Sequence, residues 1–215
     1  MHSNLIVLLG ITTLFIAFSG CIATDPDDFH AHADFVVYIL GQKYDFGLPQ
    51  FVSDENNSLS ERVHIHDLSG NIMHMHARDI TLKEFFQSLG WKYENGCIDT
   101  IDYDTFCNGG NIEVPDSTLK LKLYVNGELN IQNENYIPKD LDRILITYGN
   151  ETPEQIQQQI NSITDESCIQ SGKCPERGSP SNESGCTTAG GCSVDLNNLR
   201  KTCMDIPIMG NFCWA

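Results

Sequence analysis

Six of the seven histidines in this chain fall in three His-x-His pairs, His30 with His32, His64 with His66, and His74 with His76. Neutral imidazole nitrogen is a ligand for zinc, copper and nickel, so this spacing predicts a transition-metal site, with copper or zinc as the expected ion. In extended backbone alternate residues point to one side, about 7 Å apart along the strand, and each pair therefore offers two imidazoles to one face of a sheet. A closed zinc site takes four ligands and a catalytic one keeps a position open. Six histidines exceed one such site, so either three or four bind with the rest behind them, or two sites share the surface. Asp34 and Asp67 are the carboxylates expected beside the rings.

Whether the pairs can meet depends on the elements that carry them. From His30 to Leu40 the residues alternate, with Phe35, Val37 and Ile39 on one face and His30, His32, Asp34, Val36 and Tyr38 on the other. The run from Val63 to His76, VHIHDLSGNIMHMH, reads as a hairpin in which Asp67 accepts backbone hydrogen bonds and Gly70 takes the left-handed position. A turn with a bulge at Gly70 sets His64 opposite His74, with His66 and His76 flanking on the same face. A two-residue turn at Ser69 and Gly70 would shift the register by one and split the pairs between faces. In the first register Val63, Ile65, Met73 and Met75 face the other way, which makes the two methionines core residues and not sulfur ligands.

The remaining pattern completes an α+β domain. Gly41 permits a turn from the first strand into 42–46, and LKLYVNGEL, Leu121 to Leu129, forms a hairpin at Asn126 and Gly127. Thr81 and Glu84 make a capping box for a helix from Leu82 to Leu89 that turns Phe85, Phe86 and Leu89 inward and ends at Gly90. A strand from Arg143 to Tyr148 precedes a second helix, opened by Thr152 and Pro153, with Ile156, Ile160 and Ile163 on one stripe. The expectation is a mostly antiparallel sheet of hairpins with one or two packed helices over 34–164, led in by a linker at 22–33 and followed by a disulfide-rich C-terminal tail at 165–215.

The cysteines and the N-terminus predict where the chain works. Residues 5–17, LIVLLGITTLFIA, are apolar but short for a membrane span, and Phe18, Ser19, Gly20 and Cys21 follow, the layout of a lipoprotein signal over 1–21 with Cys21 as the lipidated residue. An uncleaved membrane anchor is the alternative; either way the protein is expected outside the cytoplasm, held at the outer face of the cell membrane. Setting Cys21 aside leaves Cys97, Cys107, Cys168, Cys174, Cys186, Cys192, Cys203 and Cys213, an even set that predicts up to four structural disulfides. Cys97 with Cys107 and Cys168 with Cys174 are the natural local pairs. No CxxC is present. The formal charge of −16 repels phosphate backbones, which argues against nucleic acid as a partner, and concentrates cations near the surface.

The succession HAHADFVVYI, VHIHD, IMHMHA, TLKEFFQSLG, LKLYVNGE, LDRILITYG and SITDESCIQSGKCPERG, spanning Phe29 to Gly178, resembles a group of small exported archaeal and bacterial proteins. Automated naming often labels that group protein-disulfide isomerases. The resemblance implies an archaeal or candidate-phylum source and an exported protein, and it brings no established activity. Three functions follow from the residues and the resemblance together: a metal-binding module, a thiol-disulfide oxidoreductase working through Cys168 and Cys174, or a metal-dependent hydrolase with Asp34 or Glu84 as base. No catalytic motif accompanies the histidines, so the first leads and the sequence names no catalytic residue.

Overall fold

The computed structural model describes residues 29–54, 59–66, 70–110 and 115–180, together with the backbone of 203–206 and 210–213. The expected signal segment with Cys21, and Asp67, Cys186 and Cys192, lie outside the described residues. Among the described residues no helix is long and apolar enough to cross a membrane.

The alternating segment after His30 forms β1 (Ala31–Ile39), and its β-branched and aromatic content suits a strand covered on both faces. A turn through Leu40 and Gly41, both at positive φ, returns the chain into the short β2 (Gln42–Lys43). The histidine hairpin supplies β3 (Val63–His64) and β4 (Ile72–Met75), and β4 lies antiparallel to β1. After α1 (Leu82–Ser88), a small sheet of β5 (Lys92–Glu94), β6 (Cys97–Asp99) and β7 (Thr105–Cys107) carries the Cys97–Cys107 disulfide between directly opposed residues. The hairpin of β8 (Lys120–Val125) and β9 (Glu128–Asn130) turns at Asn126 and Gly127, φ 52° and 85°, as its Asn-Gly dipeptide requires. Then come β10 (Arg143–Gly149), α2 (Pro153–Asn161) and α3 (Ser167–Gln170).

The main sheet runs β3-β4-β1-β10-β8-β9, with β2 on the far end of β1. Its pairings are antiparallel except in the middle, where β1 and β10 run parallel with Asp34 beside Arg143 and Ile39 beside Tyr148. Hairpin reasoning does not anticipate that pair, because no turn joins the two strands and the turn at Leu40 and Gly41 specifies only β2 as a partner of β1. The α+β expectation otherwise holds, and both helices form where their caps predict. Thr81 accepts from the Glu84 N–H, and the Thr152–Gln155 capping box closes in both directions. Glu84 does not complete the first box; its carboxylate pairs with Arg62 at 2.7 Å instead.

Alternation along β1 divides the interior in two. Ala31, Ala33, Phe35 and Val37 join Met73, Met75, Leu123, Ile144 and Ile146 beneath α1, where Phe35 and Phe85 meet edge to face at 5.0 Å. Each fully buried side chain of this size stabilises the fold by about 1.5–3 kcal/mol. On the other face Val36 and Leu145 pack against Ile156 and Ile163 of α2 and the residues that follow it. The histidines share this second face, at the end of the sheet nearest the start of β1.

Beyond the main body, β11 (Cys203–Ile206) and β12 (Gly210–Cys213) pair antiparallel with Cys203 opposite Cys213.

Candidate metal centre

Three neighbouring strands bring the three histidine pairs together. His64 is the direct partner of His74 across β3 and β4, and His74 is the partner of His32 across β4 and β1, so one histidine from each pair stands in a single row across the sheet. Gly70 has φ 63°, the left-handed conformation that the sequence predicts for it. A side chain there would also collide with the neighbouring chain, since a Cβ would lie 2.3 Å from the Gly47 nitrogen. Met73 and Met75 fall on the opposite face, both buried in the core under α1.

The rings form one continuous cluster. His30 lies 4.4 Å from His32 and 4.6 Å from His76, centroid to centroid, and His32 lies 4.6 Å from His74. His64 is 4.9 Å from His76 and 5.5 Å from His66, and His66 is 3.6 Å from His74. Within this cluster His30, His32 and His74 present ligand nitrogens that all lie within 4.8 Å of one another, a group that can hold a metal ion. His32 and His74 are buried and His30 is exposed, so the group opens to solvent on the His30 side. Buried imidazoles are a poor way to fill a core. An aliphatic residue at each of the buried positions His32, His64, His66 and His74 would contribute about 1.5–3 kcal/mol without polar nitrogens to satisfy.

Hydrogen bonds behind the rings orient them. His64 Nδ1 donates to the Ser60 carbonyl at 2.8 Å, which leaves the lone pair on Nε2. His32 Nδ1 meets Ser171 Oγ at 2.8 Å, and Ser171 in turn donates to Asp140 Oδ1 at 2.5 Å. Asp140 also accepts the His32 backbone N–H at 3.0 Å and pairs with Lys173. Burial works to raise the Asp140 carboxyl, but Lys173, Ser171 and the His32 N–H outweigh it and hold the group below the ordinary carboxylate range. The loop that delivers Asp140 is pinned by buried Asp142, which accepts from Tyr136 at 2.7 Å, the Lys139 N–H at 2.8 Å and Asn126 at 2.8 Å. Burial, and then Asp142 itself, push the Tyr136 hydroxyl well up, so it stays a donor.

Asp34 has a different role from the one its position suggested. It shares a strand face with His30 and His32, but its carboxylate is fully buried and accepts from the Thr164 hydroxyl at 2.5 Å, the Glu166 N–H at 2.9 Å and the Ser167 N–H at 3.1 Å. Both oxygens are thereby turned to the start of α3, and Asp34 is not in the close group of His30, His32 and His74. It fastens the segment after α2 to β1, and that segment runs directly into the loop closed by the Cys168–Cys174 disulfide, which carries Ser171. Successive positions on one face of β1 therefore do different work: His32 in the cluster with His30 just before the strand, Asp34 as an anchor, Val36 against α2, and Tyr38 bonded to Ser162 at 3.0 Å.

Sequence reasoning did not find Ser60, Asp140 or Ser171. The CIQSGKC element did mark the loop that holds Ser171, but nothing in the pattern linked that loop to a strand 139 positions away.

Comparison of the chain with protein-family models, with curated proteins and with solved structures gives no match.

Proposed function

We propose that this protein is an extracytoplasmic transition-metal-binding module, held at the outer face of the membrane by its N-terminus, that takes up a copper or zinc ion on His30, His32 and His74. The observation that carries the reading is the convergence of those three ligand nitrogens within 4.8 Å, from β1, β4 and the residue just before β1. Three imidazoles with one position open suit both zinc and copper. The −16 charge supports capture by raising the cation concentration around the body. Exposed His30 makes first contact, and the ion then passes to the buried pair His32 and His74. The apolar N-terminal run with Cys21 after it, and the cysteine-rich composition, support the location outside the cytoplasm.

The test is elemental analysis of protein purified without a histidine tag, before and after chelation, followed by titration with Zn²⁺ and Cu²⁺. We expect one tightly held equivalent that His32→Ala and His74→Ala each weaken by at least tenfold. Wild-type protein that retains no metal and shows no saturable uptake ends the proposal.

A further inference from the structure

The loop closed by Cys168 and Cys174 is joined to the histidine centre by a short relay. The Ser171 hydroxyl donates to Asp140 Oδ1, and Asp140 is itself held by Lys173, so Ser171 turns its lone pair to His32 Nδ1. The proton between His32 and Ser171 is therefore carried on Nδ1, and Nε2 is the ligating nitrogen. Both Ser171 and Lys173 stand between the two linked cysteines, whose sequence separation is 6. Outside the loop, Asp34 and the Arg177–Asp165 pair at 2.8 Å fasten its two flanks. Arg177 Nη1 also lies 3.4 Å from Cys168 Sγ, where a guanidinium favours ionisation of the Cys168 thiol once the bond is reduced.

The geometry points to a coupling between the redox state of the Cys168–Cys174 pair and the ion affinity of the histidine centre, with Ser171 and Asp140 as positioning residues for His32. This rests on the metal-binding reading above and gives that site its regulation. The reductant is a dithiol. Its two thiols give up two electrons and two protons and join as a disulfide, while the Cys168–Cys174 bond breaks and takes both up as two thiols. With the link open, the loop no longer holds Ser171 against His32, the ring loses its fixed tautomer, and the ion is released more readily. Linkage makes the effect reciprocal: a bound ion makes the disulfide harder to reduce by the same factor.

The test uses full-length Ser171→Ala, Ser171→Thr, Asp140→Asn and Cys168→Ser/Cys174→Ser, with Cys97→Ser/Cys107→Ser as the control for loss of a disulfide on the opposite face. Serines are used because free thiols would themselves bind the ion. In ion-free protein, the ¹⁵N shifts of the His32 ring report the tautomer. We expect the Nδ1–H form in wild type and the Cys97/Cys107 control, a mixture in Ser171→Ala, Asp140→Asn and the Cys168/Cys174 variant, and recovery in Ser171→Thr. Zinc affinity should fall about 10–100-fold in the three perturbed variants and hold in the control. Unchanged ring shifts and unchanged zinc affinity in Ser171→Ala and the Cys168/Cys174 variant overturn the coupling while leaving the metal site standing. A wild type that takes up no zinc or copper overturns the metal reading, and the coupling with it.

Discussion

Replacing Asp34 with alanine separates an anchor from a ligand. The substitution removes the acceptor of three hydrogen bonds, from the Thr164 hydroxyl and the backbone N–H groups of Glu166 and Ser167. A buried donor left without a partner costs about 1–3 kcal/mol. Ser167 is 2% exposed and would bear that cost in full, whereas Thr164 and Glu166 lie nearer solvent and water can replace part of what they lose. The expected destabilisation is therefore about 3 kcal/mol, which at a urea dependence of about 2 kcal/mol per molar moves the unfolding midpoint down by about 1.5 M. Asp34→Asn should fall between, at about 2 kcal/mol, because one amide oxygen can still accept while the NH₂ group confronts a backbone donor. Urea unfolding followed by circular dichroism on ion-free protein, with zinc titration of the same samples under native conditions, gives both numbers. A midpoint that barely moves while zinc affinity collapses would show that Asp34 ligates the ion, and the anchoring argument would be wrong.

Gly70→Ala should cost about 2 kcal/mol or more, since it adds a side chain at φ 63° and 2.3 Å from the Gly47 nitrogen; a thermal melt within a degree or two of wild type would contradict that. Met73→Leu should cost less than about 1.5 kcal/mol and leave Cu(I) affinity unchanged, because the side chain lies in the core on the face away from the histidines; competition titration with a Cu(I) chelator checks it. Glu151→Gln should destabilise by about 2 kcal/mol at neutral pH by removing the carboxylate that pairs with Lys122 at 2.7 Å. Although burial works to raise it, bonds from Lys122, its own N–H and Thr147 hold Glu151 below its ordinary range. Its contribution is thus present above the unfolded value of about 4.3 and is lost as pH falls through the lower folded value, so the gap between wild type and variant in urea melts should close toward pH 3.

The histidine cluster was legible because one rule, a period of two, controls both the pairing and the burial of strands. Once His64 is set opposite His74, the alternation that gathers the rings also sends Met73 and Met75 to the core. The helix caps at Thr81 and Thr152, and the Asn126-Gly127 turn, were legible because each is a local decision written within four residues. The parallel contact of β1 with β10 was not, since no turn links the two strands and their apolar patterns would suit several partners. Asp34 shows the limit of reading a face alone: alternation placed it correctly beside the histidines but could not say that the start of α3 would claim both of its oxygens. Asp140 and Ser171 lie 108 and 139 positions from the ring they serve, beyond anything that spacing can report.

The parallel pair at the middle of the sheet also sets an order of assembly. While the polypeptide is being made, β1 leaves the ribosome well before β10, the strand it pairs with in parallel. Closing so long a span is slow compared with forming the hairpins on either side. For that interval the three histidine pairs exist without Asp140 and Ser171 behind them. The His32 ring takes its fixed orientation only when the last third of the described chain docks and brings Ser171 and Asp140 behind it.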